Sequence, residues 1–82
     1  MSAKEMFEKL GYEVKYYIDK SQLIFIGYTT EDKEVEDCEI LFNVKAKVFL
    51  SVNWIGKKMY EAINKQIEEL GWNNENIWWR KD

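Results

Sequence analysis

Apolar residues recur along this chain with two different periods. Near the start, Met6, Phe7 and Leu10 lie at helical spacing. Ser2 and Glu5 form the S-x-x-E pattern of a capping box, and Gly11 suits the left-handed position that ends many helices. Segments 12–18, 22–29, 35–42 and 46–52 then read as strands. In the first, Tyr12, Val14, Tyr16 and Ile18 alternate with Glu13, Lys15 and Asp19. In the second, Leu23-Ile24-Phe25-Ile26 is apolar on both faces, as in a central strand. The third sends Cys38, Ile40 and Phe42 to one side, with Asp37 and Glu39 on the other. The fourth sends Ala46, Val48, Leu50 and Val52 to one side, with Lys45, Lys47 and Ser51 on the other.

Directly opposed residues in a hairpin share a face, so Phe42 should oppose Ala46, and Ile40 should oppose Val48. That pairing requires an odd-numbered loop, Asn43-Val44-Lys45, and puts Phe49 on the polar side of its strand. A second helix is predicted over 54–70, capped by Asn53. Its apolar stripe is Ile55, Met59, Ala62, Ile63, Ile67 and Leu70, and Gly71 stops it. The expected architecture is α+β: a short N-terminal helix, a four-stranded and mostly antiparallel sheet, and a C-terminal amphipathic helix, in the order α-β-β-β-β-α. Both helices should cover one face of the sheet, because only one face of the outer strands is consistently apolar. Residues 1–82 read as a single domain, with 73–82 a Trp-rich C-terminal tail.

Composition sharpens this picture. A chain of 82 residues buries only about 60–65% of its unfolded surface, so the core must be used efficiently. With 46% hydrophobic and 16% aromatic residues it has the means, and it lacks the signature of disorder. No apolar run approaches the length of a bilayer span, and the opening residues lack the pattern of a signal peptide. The single cysteine, Cys38, can form no internal disulfide, which points to a cytoplasmic location without membrane association. A net charge of −3 disfavours a dedicated nucleic-acid binder.

The residues that usually carry chemistry are scarce. With no histidine, the chain lacks the commonest general base and the commonest zinc ligand. Gly11, Gly27, Gly56 and Gly71 are scattered singly, so no phosphate-binding loop forms. Cys38 reads as a buried structural residue whose acidic neighbours oppose the thiolate. The acidic run from Glu31 to Glu39 has no glycine of a calcium loop and reads as a solvated turn leading into an edge strand. The expectation is no enzyme, no cofactor and no metal.

The aromatics are the better lead. Trp78 and Trp79 adjoin Arg80 beyond the last helix, and Tyr17 and Phe49 fall on the polar sides of their strands. These five residues are the candidate partner surface, for another protein or a second copy in a homodimer, since Trp, Tyr and Arg anchor protein interfaces. A tail folded back over the sheet fits the same residues equally well. Lys57, Lys58, Arg80 and Lys81 support an alternative, accessory nucleic-acid binding. The helix–strands–helix order resembles double-stranded RNA-binding domains, but the fourth strand, the absent basic helix motif and the charge set the chain apart.

Two segments carry a further resemblance: Ala3-Lys4-Glu5-Met6-Phe7-Glu8-Lys9-Leu10-Gly11-Tyr12 and Ala62-Ile63-Asn64-Lys65-Gln66-Ile67-Glu68-Glu69-Leu70-Gly71-Trp72. They resemble the opening and closing helices of small domain-of-unknown-function proteins carried by phages, prophages and mobile elements of Gram-positive bacteria. The likeness covers both ends and the order of elements, while the middle matches only in pattern. It implies a bacterial cytoplasm as the setting and assigns no functional residue. The Trp-rich tail departs from that family's pattern.

Overall fold

The computed structural model describes residues 1–72; the tail 73–82 lies outside the described residues. Its elements run α1 (Ala3–Lys9), β1 (Glu13–Asp19), β2 (Gln22–Thr29), a 3-10 turn (Val35–Asp37), β3 (Ile40–Asn43), β4 (Val48–Ser51) and α2 (Lys57–Glu69). The four strands form one antiparallel sheet in the order β1-β2-β3-β4, so the α+β arrangement is the one the sequence predicts.

Local chemistry sets the element ends. Ser2 Oγ accepts from the Glu5 N–H, and Glu5 returns a carboxylate oxygen to the Ser2 N–H, completing the capping box. A third acceptor comes from far along the chain: Glu69 Oε2 takes the Ala3 N–H at 2.9 Å, tying the start of α1 to the last turn of α2. At the other end of α1, Gly11 adopts φ +94°, and the Gly11 and Tyr12 N–H groups bond back to Glu8 and Phe7. This is the paired 6→1 and 5→2 closure of a Schellman turn. Gly71 ends α2 in the same left-handed conformation, at φ +79°, with its N–H bonded to the Glu68 carbonyl. Tyr12 and Trp72, the aromatics after the two glycines, both pack into the core.

That core lies between the two helices and one sheet face. Phe7 of α1 and Ala62, Ile63 and Ile67 of α2 meet Ile26, Tyr28, Ile40 and Phe42 of the central strands, with Trp72 closing one end. Tyr28 organises it. Its ring stacks on Phe7 with centroids 3.7 Å apart, and its hydroxyl donates to Gln66 Oε1, the buried amide of α2. Phe42 adds edge contacts to Phe7 and Tyr28 and a tilted contact to Trp72.

The structure departs from the expected elements in four places. The third strand begins at Ile40, because residues 35–38 turn under the sheet instead of extending it. Cys38 therefore lies on the face opposite Ile40 and Phe42, with its sulfur packed against Gly27. β3 is also internal, so the acidic run does not lead into an edge strand. The β3–β4 loop has four residues, 44–47, not three. Asn43 holds it through the Ala46 N–H on its side-chain oxygen and the Lys47 N–H on its carbonyl, both at 2.9 Å, with Lys47 left-handed at φ +60°. An even loop inverts the parity of β4: Phe49 opposes Phe42 toward the core, while Val48 and Leu50 point away from it.

Thirdly, Tyr16 and Ile18 are more than half exposed, not core residues. A bulge between Tyr17 and Ile18 breaks the alternation there, and the hairpin turns through Lys20 and Ser21, both left-handed. Finally, α2 begins at Lys57 with Gly56 as its cap, so Asn53 does not cap it and Trp54 and Ile55 precede it. Residues 52–56 carry the chain from the sheet to the helix layer, and Trp54 is fully exposed on the way.

Replacing Tyr28 with Phe should leave the Gln66 amide buried and unpaired, at about 1–3 kcal/mol of stability by urea denaturation. The double variant Y28F/Q66L should recover part of that loss, since it removes both polar partners.

Candidate functional site

Both helices lie on one sheet face, so the other face can meet solvent or a partner. Strand register places its side chains in rows. Tyr17, Phe25, Asn43 and Val48 form one, and Lys15, Gly27, Leu41 and Leu50 the next. Val52, whose N–H bonds to the Glu39 carbonyl at 3.0 Å, extends the β4 side.

The loop 30–39 covers part of this face. Gly27 makes that possible: a Cβ there would sit 2.6 Å from Cys38 Sγ and 3.2 Å from Val35 Cγ2. Val35 and Cys38 are accordingly buried, and burial, reinforced by the Glu39 carboxylate, pushes the Cys38 thiol above its ordinary pKa. The thiolate is disfavoured, as the sequence suggested. Glu39 fastens the loop from the other side. Its Oε2 accepts from the Thr30 hydroxyl at 2.6 Å, and its Oε1 lies 3.6 Å from Lys33 Nζ. The Thr30 hydrogen bond in particular holds the Glu39 carboxyl down to about 2, against an ordinary 4.5. At the loop's outer corner, Asp32 pairs with Lys15 at 2.8 Å, which holds the exposed Asp32 carboxyl below its usual range.

Two shallow depressions flank this loop. Glu8, Gly11, Tyr12, Glu13 and residues 29–32 line one, and residues 15–17 and 32–36 line the other. Carboxylates border both, yet among the described residues no group of three or more metal-ligating side chains comes together. Among the same residues, no helix is long and apolar enough to cross a membrane.

Beyond the loop the face is apolar and open. Tyr17 is 46% exposed, Val48 54%, Leu50 60% and Val52 62%, with Phe25 and Leu41 half-buried between them. Tyr17 leans on Phe25, ring centroids 6.1 Å apart, so it is a held platform and not a loose side chain.

Of the five expected surface residues, the structure places Tyr17 on this face. Phe49 is a correction: it packs against Phe42 with centroids 5.6 Å apart and belongs to the core side, because the four-residue loop inverts its strand. Trp78, Trp79 and Arg80 lie outside the described residues, as does Lys81. Lys57 and Lys58 are exposed at the start of α2. Sequence reasoning missed Val48, Leu50 and Val52 by assigning them to the core. The usable signals were Asn43, a residue suited to closing a wider turn through its side chain, and Phe49, the largest apolar side chain of β4.

Compared with models of known protein families, with curated proteins and with solved structures, the chain matches none.

The sign of the Glu39 effect follows from its depressed pKa: its stabilisation is present above pH 4.5 and is lost as pH falls toward 2. E39Q should flatten the fall in urea midpoint across that window relative to the wild type. G27A should cost about 1–3 kcal/mol through overpacking and should speed the reaction of Cys38 with a thiol reagent.

Proposed function

We propose that this chain is a small non-enzymatic protein-interaction module. It is encoded by a phage or mobile element and acts in the cytoplasm of a Gram-positive host. The observation that carries the reading is the open half of the helix-free sheet face, where Tyr17, Phe25, Leu41, Val48, Leu50 and Val52 form an apolar patch. Contiguous apolar surface with a polar rim is the mark of an interaction site. The rim here is supplied by the Lys15–Asp32 and Lys33–Glu39 pairs of the loop that borders the patch.

The shape of the patch supports a macromolecular partner. Small ligands ask for a concave pocket that buries most of their surface, whereas a sheet face offers breadth. Trp78, Trp79 and Arg80 belong to the same proposal as residue types that anchor interfaces. The partner is a host or phage protein, another copy of the chain included. Nucleic acid is disfavoured by the net charge of −3. The biological setting rests on the resemblance of the two helix segments to phage and mobile-element proteins.

The test is capture from host lysate by the wild type and by Y17E/L41S, with both shown to be folded by circular dichroism. The wild type should retain a defined protein that the variant loses. Equal retention by the two would refute the reading, as would no retained protein for either together with a wild type that stays monomeric.

A further inference from the structure

The two edges of the sheet are built differently. β1 carries Glu13, Lys15 and Asp19 together with its bulge, all features that keep an edge from pairing with another chain. β4 has none of them: Val48-Phe49-Leu50-Ser51, followed by Val52, contains no charge and no proline. Its backbone is also correctly presented. The bond from the Val52 N–H to the Glu39 carbonyl makes these two a hydrogen-bonded pair. With a period of two, Leu41/Leu50 and Asn43/Val48 are hydrogen-bonded pairs as well. The N–H and C=O groups of Phe49 and Ser51 therefore point away from β3, where no further strand lies among the described residues.

We propose that β4 pairs antiparallel with β4 of a second copy, across a two-fold axis beside Leu50. Two four-stranded sheets then become one sheet of eight. In this register Phe49 and Ser51 exchange N–H···O bonds with Ser51 and Phe49 of the other copy. Leu50 faces Leu50 at the close, non-hydrogen-bonded position, and Val48 meets Val52 on either side. The strand is its own complement, because its outward apolar residues are symmetric about Leu50. A register centred on Phe49 or Ser51 would leave one of the three exposed side chains uncovered. A contact of this length is small beside a standard interface of about 1,600 Å², so the dimer is weak and concentration-dependent. The inference rests on the interaction reading above and specifies one partner and one edge.

Sedimentation of the full chain over rising concentration tests it. The mass should climb from 9.9 kDa toward twice that value. L50E sets like charges face to face on the axis and should weaken dimerisation about tenfold or more. V48E and V52K should each weaken it, whereas V48E/V52K brings opposite charges together twice and should bind more tightly than either single variant. All three side chains are more than half exposed, so the variants keep the fold, which circular dichroism checks. A wild type that stays at 9.9 kDa throughout overturns the proposal. So does a dimer indifferent to L50E, or a monomer whose Phe49 and Ser51 amides exchange slowly because another segment of the same chain covers them. A monomer that still retains a host protein lost by Y17E/L41S would overturn this inference alone and leave the broader reading standing.

Discussion

Everything in this fold is arranged around Tyr28. Its ring lies flat on Phe7, and its hydroxyl reaches Gln66, so one side chain of a central strand positions both helices. The two contacts are of different kinds. The stack buries area and tolerates small shifts, whereas the hydroxyl–amide bond has a direction and a partner that is itself buried. Together they fix the rotation of α2, and with it the stripe of Ala62, Ile63 and Ile67 that fills the rest of the core. The same burial pushes the Tyr28 hydroxyl pKa well above its ordinary value, so it remains a donor at any physiological pH.

Placing both helices on one side creates the remaining problem, a sheet face without cover. The chain solves half of it locally. The missing side chain of Gly27 admits Val35 and Cys38, and the Glu39 carboxylate pins the loop that carries them. The cover stops where the loop does. From Tyr17 across to Leu50 the face is lined by apolar side chains that the described residues leave open. Function is proposed there because that is where packing is incomplete, and because the residues present suit contact better than catalysis.

Much of the fold was legible in the sequence, since capping boxes, glycine stops and helical periodicity are local signals. Ser2, Glu5, Gly11 and Gly71 all act as their positions imply. The central placement of Leu23-Ile24-Phe25-Ile26 was equally readable, because a strand apolar on both faces needs neighbours on both sides. What failed was parity. β4 contains Val48, Phe49 and Leu50 in succession, so its alternation fits either face, and a single extra loop residue decides the matter. Asn43 makes that decision through hydrogen bonds that periodicity cannot register. The same blindness moved Cys38 to the wrong face, because a 3-10 turn of acidic residues mimics an alternating strand. On the helix-free face, Tyr17 lies exposed where its polar-side position implied, Phe49 lies on the other side, and the aliphatic residues Val48, Leu50 and Val52 had been assigned to the core.

The bond from the Ala3 N–H to Glu69 joins residues 66 positions apart. A helix as short as α1 has little stability alone in water. Its capping box is local and its stacking partner on β2 lies near in sequence, but the Glu69 acceptor and the packing against α2 reach it from the far end of the described fold. The first helix therefore has its full set of contacts only once residue 69 is in place. A chain cut before Glu69 should therefore keep the local capping box of α1 and lose the acceptor that ties its first turn to α2.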